Sequence, residues 1–517
     1  MGSTFAGLEI SKRGMTAQQS ALYTTGQNIS NANTPGYTRQ RVTFKATEAY
    51  PYPGLDMPKI PGQMGTGVEG DTVERIRDKF LDTQYRGENM KTGFYEARSE
   101  ALLKMEEIMN EPSEAGLSKT MDRFWQSMQD LAANPTNSGA RSVVQQRGIA
   151  VADTFQYLST SLKGVQKDLK TQMDTTALQV ESIATQLNNI NKQISEVEPH
   201  GYLPNDLYDE RDRLIDTLSN LVPVKVSYPV KPGGNALKIA EGVVTVELVG
   251  KDGITGVGKL VDGANQTAAS FSVSYDANGM VTSFQLDEVP DPPTNTDMKT
   301  IAIGNVQNTG KIQGLIQSHG YADNGTSKGA YVEMIKDLDD LANAFVKEFN
   351  AIHKAGYNLN QFKTPPANGT GYDFFDFKSG KTGAEGIKVA DIIMTSTDYI
   401  AAAQGPNPTA GDGSNALKLA EVKNGKLTDL PNSATFQTFY EGMIGGMAVD
   451  AQEAERMLNN TNTLKDSVES RRQSVSAVSL DEEMTNMIQF QHAYNASARM
   501  ITMQDQLLDT IINKMGL

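Results

Sequence analysis

The sequence predicts a mainly α chain with an inserted β-rich domain, and three observations carry that prediction. Heptad-spaced apolar residues run along both ends of the chain, long helical periods fill much of the middle, and the period switches to alternation after Val222-Pro223. The expected architecture is a coiled-coil stem formed by the N- and C-terminal helices, a body of long helices, and an outer β-rich insertion.

At the C-terminal end, Leu480, Met484, Met487, Tyr494, Ala498, Ile501, Leu508, Ile512 and Met515 recur in steps of three and four once Gln491 and Asp505 count as polar substitutes. Ser479 and Glu482 have the spacing of a capping box, so a new helix is expected to begin there. At the other end, Leu8, Met15, Leu22 and Ile29 recur every seven residues, with Phe5 before them, until Asn33, Pro35 and Gly36 prohibit further helix. Neither helix can bury its own stripe. Either each docks separately on a globular body, or the two pair with each other, leaving residues 1–47 and 476–517 as two halves of one stem.

Pro35-Gly36 is a turn, and Gln40 to Phe44 alternates as an extended segment. Residues 48–70, rich in Pro and Gly, read as a linker or extended arm. Residues 71–222 and 328–475 read as a helical body. Its longest helix covers about 138–198, striped by Leu158, Leu162, Leu169, Val180, Leu187, Ile190 and Ile194. A charged helix opening at Asn205 gains modest support from an Asp209–Arg213 pair. Residues 223–327 alternate, with Gly-rich turns between, and form the β-rich insertion. A turn-rich mixed α/β segment spans 357–433, and a final body helix runs from about Thr435 to Val475, with Gly445-Gly446 as a weak point.

Composition narrows the function. A net charge of −15 without a strong Lys/Arg cluster argues against nucleic-acid binding. The chain has no cysteine, which excludes disulfides, thiolate metal sites and a cysteine nucleophile. The first twenty residues lack the apolar core of a signal peptide, and no run is long enough to insert in a membrane. Two motifs imitate chemistry. Gly253 to Lys259 has the outline of a phosphate loop, but Leu260 stands where a Ser or Thr would hold magnesium, so a hairpin turn is expected. Gly325-Thr-Ser327-Lys-Gly329 outlines a nucleophile elbow, but no buried strand precedes it. The four histidines lie far apart. No enzyme and no cofactor or metal site is expected.

Two blocks of wording point further. Ala32-Asn-Thr-Pro-Gly-Tyr-Thr-Arg-Gln40 and Ser479-Leu-Asp-Glu-Glu-Met484, continuing through Phe490-Gln-His-Ala-Tyr494 to Ile501, resemble the N- and C-terminal signatures of the bacterial flagellar rod, hook and hook-associated proteins. Asn205 to Leu214, Asn350 to Tyr357 and the long helical body are similar to the hook-associated branch, the alternative being a hook or distal rod subunit. The resemblance implies a structural subunit of the hook–filament junction, exported unfolded by the flagellar type III route without a cleaved signal peptide and assembled outside the cell. Implied partners are further copies in a ring, the hook protein, an FlgL-like second junction protein, and an FlgN-like export chaperone on the C-terminal helix. The assembly interface is expected on Phe5, Leu8, Met15, Leu22, Ile29, Asn33, Pro35, Gly36 and Tyr37, with Leu480, Met484, Met487, Tyr494, Ile501, Leu508 and Ile512. A thin stem has few tertiary contacts, so the termini are expected to fray in the monomer and order on assembly.

Overall fold

The computed structural model describes residues 5–50, 62–111, 113–114, 116–230, 233–288, 298–323, 325–363, 371–405, 408–431 and 434–514. Met515 and residues 51–61 of the expected arm at 48–70 lie outside them. The chain opens with α1 (Ala6–Asn31), followed by the antiparallel hairpin of β1 (Gln40–Ala46) and β2 (Val68–Arg75). Residues 71–75 are therefore strand, where the sequence reading began the helical body. Val73 pairs with Val42 and Arg75 with Gln40, and only at Asp78, whose side chain accepts the Phe80 N–H, does helix begin.

The body is built from α2 (Lys79–Met109), α3 (Leu117–Ala133), α4 (Ser138–Val197) and α5 (Asn205–Leu221). At 1.5 Å rise per residue, α4 is about 90 Å long. Its apolar stripe, Val144, Val151, Phe155, Leu162, Leu169, Val180, Leu187 and Ile194, is fully buried. Two small sheets lie against it. One is the meander β3 (Val224–Val230), β4 (Val243–Val249), β5 (Gly256–Asp262) and β6 (Thr267–Ala268). The other contains β7 (Ser270–Tyr275), β8 (Val281–Asp287) and β9 (Met298–Ala302), and is extended further along the chain. Asn191 of α4 clamps the first sheet, accepting the Val244 N–H at 3.0 Å and donating to the Val244 carbonyl at 2.8 Å.

The insertion is not wholly β. Within residues 223–327 lies α6 (Lys311–His319), buried against α2 and α4 through Ile312, Leu315 and Ile316. A nine-residue helix has too few turns to show its period in a sequence. After it, β10 (Tyr321–Asp323) and β11 (Thr326–Lys328) complete the second sheet. The chain then returns to the body as α7 (Ala330–Ala355). The turn-rich segment consists of β12 (Tyr357–Asn358), α8 (Leu359–Lys363), β13 (Phe375–Phe377), β14 (Ile387–Val389), α9 (Asp391–Thr395), β15 (Ala401–Ala403) and α10 (Ser414–Glu421). Helix α11 (Phe436–Ser476), capped reciprocally by Thr435 and Thr438, lies along α2. Last comes α12 (Leu480–Asp509), with one π turn beyond it.

An aromatic cluster joins α3, α7 and the turn-rich segment. Phe124 packs on Trp125, Phe345, Phe349, Phe374 and Phe375 with ring centroids 5.4–6.4 Å apart, in tilted and edge arrangements. The β-rich insertion, the turn-rich segment and the termini thus all hang from one helical body.

Candidate functional site: the terminal stem and its root

The first and last helices do pair, antiparallel, and the residues between them are small. A Cβ built on Gly7 would meet the Gln504 amide nitrogen at 2.7 Å, and one built on Gly14 would meet Ser497 Oγ at 3.3 Å. Asn28 donates to Glu483 Oε2 at 3.0 Å, in step with those pairs. The buried face of α1 is Ser11, Ala17, Ala21, Thr25 and Asn28. Small side chains at three- and four-residue spacing bring the helix axes close.

The heptad reading of large apolar residues is therefore displaced. Leu8, Met15, Leu22 and Ile29 flank the contact line, half-buried, and Phe5 is 55% exposed. On α12, Met487, Tyr494, Ile501 and Leu508 are half-buried, as is expected of a seam, but they alternate with Glu483, Phe490, Ser497 and Gln504. Leu480, Met484 and Ile512, read as seam residues, are 47%, 57% and 69% exposed. The error has a physical source, because a carboxylate in a seam is legible only once its partners are known. Glu483 is buried because Arg39 Nε donates to it at 2.7 Å and Asn28 fills its other oxygen. Gly14→Leu is expected to force the two helices apart and carry fast amide exchange from the stem's tip down to its root, 15–31 and 480–496, while Gly7→Ala, facing a movable Gln504 tip, is expected to leave the root protected.

The turn after α1 closes the stem onto the body. Gly36 has φ +84°, and the Tyr37 N–H reaches the Thr34 carbonyl at 3.2 Å, so Pro35-Gly36 occupies the centre of a type II turn. Asn33, Pro35 and Gly36 are exposed at its tip. Beyond it the chain turns inward. Tyr37 Oη donates to Asn28 Oδ1 at 2.9 Å, the Gln40 N–H donates to the same oxygen at 3.0 Å, and Asn28 Nδ2 donates to the Gln40 carbonyl at 2.8 Å. Burial, with Asp209, Asp206 and Glu483 nearby, pushes the Tyr37 phenol up, so it stays a neutral donor.

Below this hub lies a buried network of charge. The Thr38 N–H donates to Asp209 Oδ2 at 3.0 Å, and Arg75 reaches Asp209 at 2.8 Å, Asp212 at 3.0 Å and Glu241 at 3.0 Å. Arg77 pairs with Asp82 at 2.7 Å, Arg86 with Asp216 at 2.8 Å, and Arg472 of α11 also ends on Asp216. Burial alone would push the Asp212 carboxyl up, yet Arg77, Arg211, Arg75 and Arg86 around it hold it well below the usual carboxylate range. Arg211, fully buried, sits 5.0 and 5.1 Å from the Tyr208 and Tyr228 ring centres and donates to Glu241. The i,i+4 spacing predicts an Asp209–Arg213 pair. Instead Arg213 turns outward to Glu210, and Asp209 turns inward to the stem loop. Spacing alone could not find this network, because Arg75, Arg472 and Glu241 come from distant segments.

A cleft of about 680 Å³ opens beside the root between the turn at 32–38, Tyr85, Arg213 and Arg472. Among the described residues, no group of three or more His, Cys, Asp or Glu side chains could hold a metal ion. Gly253 lies in the turn between β4 and β5, and Ser327 is exposed in β11. No helix is long and apolar enough to cross a membrane among those residues.

Family models match the same three regions. Residues 8–38 match the flagella basal body rod protein family, 102–375 the helical domain of flagellar hook-associated protein FlgK, and 470–514 the C-terminal family of the rod FlgEFG proteins. A solved structure of the flagellar hook junction protein FlgK from Burkholderia pseudomallei shares the fold, with TM-score 0.60 and 13% identity over 76% of this chain and all of that one. Flagellar hook-associated protein 1 of Salmonella typhimurium is 26% identical across 97% of this chain and 98% of its own length. That of Bacillus subtilis is 46% identical over 100% of this chain and 99% of its own. Identity of that level along the entire chain, stem and body alike, leaves one assignment: the chain belongs to the flagellar hook-associated protein 1 family, structural components of the bacterial flagellum.

Proposed function

We propose that this chain forms the junction between hook and filament, self-assembling as a ring of identical subunits at the distal end of the hook. One observation carries the reading. The stem buries small residues inside and leaves large apolar ones outside: Met484, Ile488, Met500, Met503 and Leu507 are 44–57% exposed. A two-helix stem with glycine and alanine along its contact line gains little from burial, whereas each of those side chains is worth about 1.5–3 kcal/mol when fully covered. Neighbouring stems supply the cover, so the free subunit's termini fray at the tip, away from the Asn28–Glu483 contact at the root, and are ordered on assembly. The exposed turn at Asn33, Pro35 and Gly36 adds a polar contact at the stem root.

The proposed partners are the hook protein on one side, an FlgL-like second junction protein on the other, and an FlgN-like export chaperone that takes the C-terminal helix before secretion. Unbranched methionines suit a helix that meets several surfaces in turn. The subunit works outside the cell after unfolded type III export without a cleaved signal, and it catalyses no reaction. Purified chain mixed with isolated hooks and imaged by electron microscopy is expected to add density at one end only. Growth along the shaft would make it another axial subunit, of the hook or distal rod kind. Folded protein that bound nowhere would overturn the reading.

A further inference from the structure

The stem is joined to the body at a break between two helices. Helix α11 ends at Ser476 and α12 begins at Leu480, with Ala477 and Ser479 in extended conformation (ψ 154° and 112°). The Ser479 cap starts the new helix but says nothing about its direction relative to the old one. Among the described residues, Arg39 joins the two sides of this break by three hydrogen bonds, beside the Asn28–Glu483 and Phe44–Phe490 contacts that also hold α12. The Arg39 N–H donates to the Ser476 carbonyl, the end of α11, at 2.9 Å. Its guanidinium donates through Nε to Glu483 Oε1 and through Nη1 to Glu482 Oε2, both at 2.7 Å, in the first turn of α12. Its carbonyl accepts the Ile76 N–H at 2.8 Å, which roots it in the hairpin beside the buried charge network.

We propose that Arg39 is a positioning residue that sets the angle at which the two-helix stem leaves the body. One planar guanidinium holding two successive carboxylates fixes a direction as well as a distance, a geometry that an ammonium cannot reproduce. Glu483 is 3% exposed and shared with Asn28 of α1, so the latch holds both stem helices together. Glu482 is 62% exposed and serves as its outer half. When the latch is broken, the Asn28 hub, the packing of α1 on the hairpin and the Phe44–Phe490 edge contact still tie the stem to β1 and β2, so its angle about residues 477–479 widens and shifts while the body keeps its fold. The consequence for assembly rests on the junction reading above; the latch itself belongs to the single chain.

The chain has no cysteine, so labels are placed without removing any. Spin labels on Asn460→Cys in α11 and Asn495→Cys in α12, both exposed, report the angle as a distance distribution. The parent is expected to give one narrow distribution. Arg39→Met is expected to broaden and shift it, with helix content kept, and Arg39→Lys to fall between. Glu483→Gln keeps a hydrogen bond to Asn28 and provides a second disruption should Arg39→Met fail to fold. Arg41→Met, which removes only an outward pair with Glu74, is expected to change nothing. Distributions as narrow and centred as the parent's for both Arg39→Met and Glu483→Gln would overturn the proposal. So would broadening of equal size in Arg41→Met. A parent that failed to cap hooks would remove the junction reading and leave this result standing.

Discussion

Asp212→Asn is expected to destabilise the body by about 3–5 kcal/mol, the range for removing one member of a buried ion network and stranding the rest. Asp212 is 3% exposed and lies 3.0–3.5 Å from guanidinium nitrogens of Arg75, Arg77 and Arg86, with Arg211 at 4.0 Å. Without its charge those four cations face one another with fewer anions than before. Urea unfolding followed by circular dichroism measures the loss. Glu210→Gln is the comparison, since Glu210 and Arg213 form an exposed pair whose removal is expected to cost below about 1 kcal/mol. Equal costs for the two variants would mean that the root is not held by its buried charges. The network also joins the stem loop, through Asp209, to the start of the β-rich insertion, through Glu241. Hydrogen exchange in Asp212→Asn should therefore rise at both 36–40 and 241–250.

A second large effect is a pH dependence written into His353. Its Nδ1 lies 2.7 Å from the Tyr372 carbonyl, and its Nε2 accepts the Ala401 N–H at 3.0 Å, so the neutral ring is fully satisfied. A second proton on Nε2 would face a backbone donor. Burial pushes the imidazole down to about 4, against 6.5 when free, with Asp373 and Arg141 as the charged groups nearby. The unfolded chain thus takes up a proton before the folded one does. Stability from this group is complete above pH 6.5, falls between 6.5 and about 4, and is fully lost below, a change of about 3 kcal/mol. Burial lowers His319 in the same direction, so the difference between parent and His353→Gln isolates His353. The variant is expected to be less stable at neutral pH, with the gap narrowing as pH falls through that window. Parallel curves would contradict the account.

Much of this fold was legible because its long helices carry long stripes. Leu158 to Ile194 on α4 and Met334 to Ile352 on α7 are periodic over many turns, and the change to alternation at Val224 is abrupt. What escaped was short or unusual in kind. Helix α6 has too few turns to display a period, and Val68–Arg75 does not alternate, being exposed from Glu69 to Asp71 and half-buried from Thr72 to Arg75. The stem was legible as a pairing of termini and illegible in its detail, since large apolar residues are the expected filling of a coiled coil. Here Gly7, Gly14 and Ala21 take the contact line, and Glu483 lies in it with its charge matched from Arg39. The turn residues Pro35 and Gly36 could be read for their conformation, but the reason Tyr37, Arg39 and Gln40 follow them emerges only when Asn28 and Glu483 are in place.

The central claim is that the outer apolar flank of the stem is the surface that assembly covers. Hydrogen exchange of the chain free in solution and bound at hook ends tests it most directly. The account predicts that in the free chain the stem's tip, 6–14 and 497–509, exchanges rapidly while its latched root is slower, and that on hooks the tip becomes strongly protected, most around Met503 and Leu507, with α4 unchanged. Hooks capped by a chain whose stem exchanges as before, with new protection confined to the body, would contradict it.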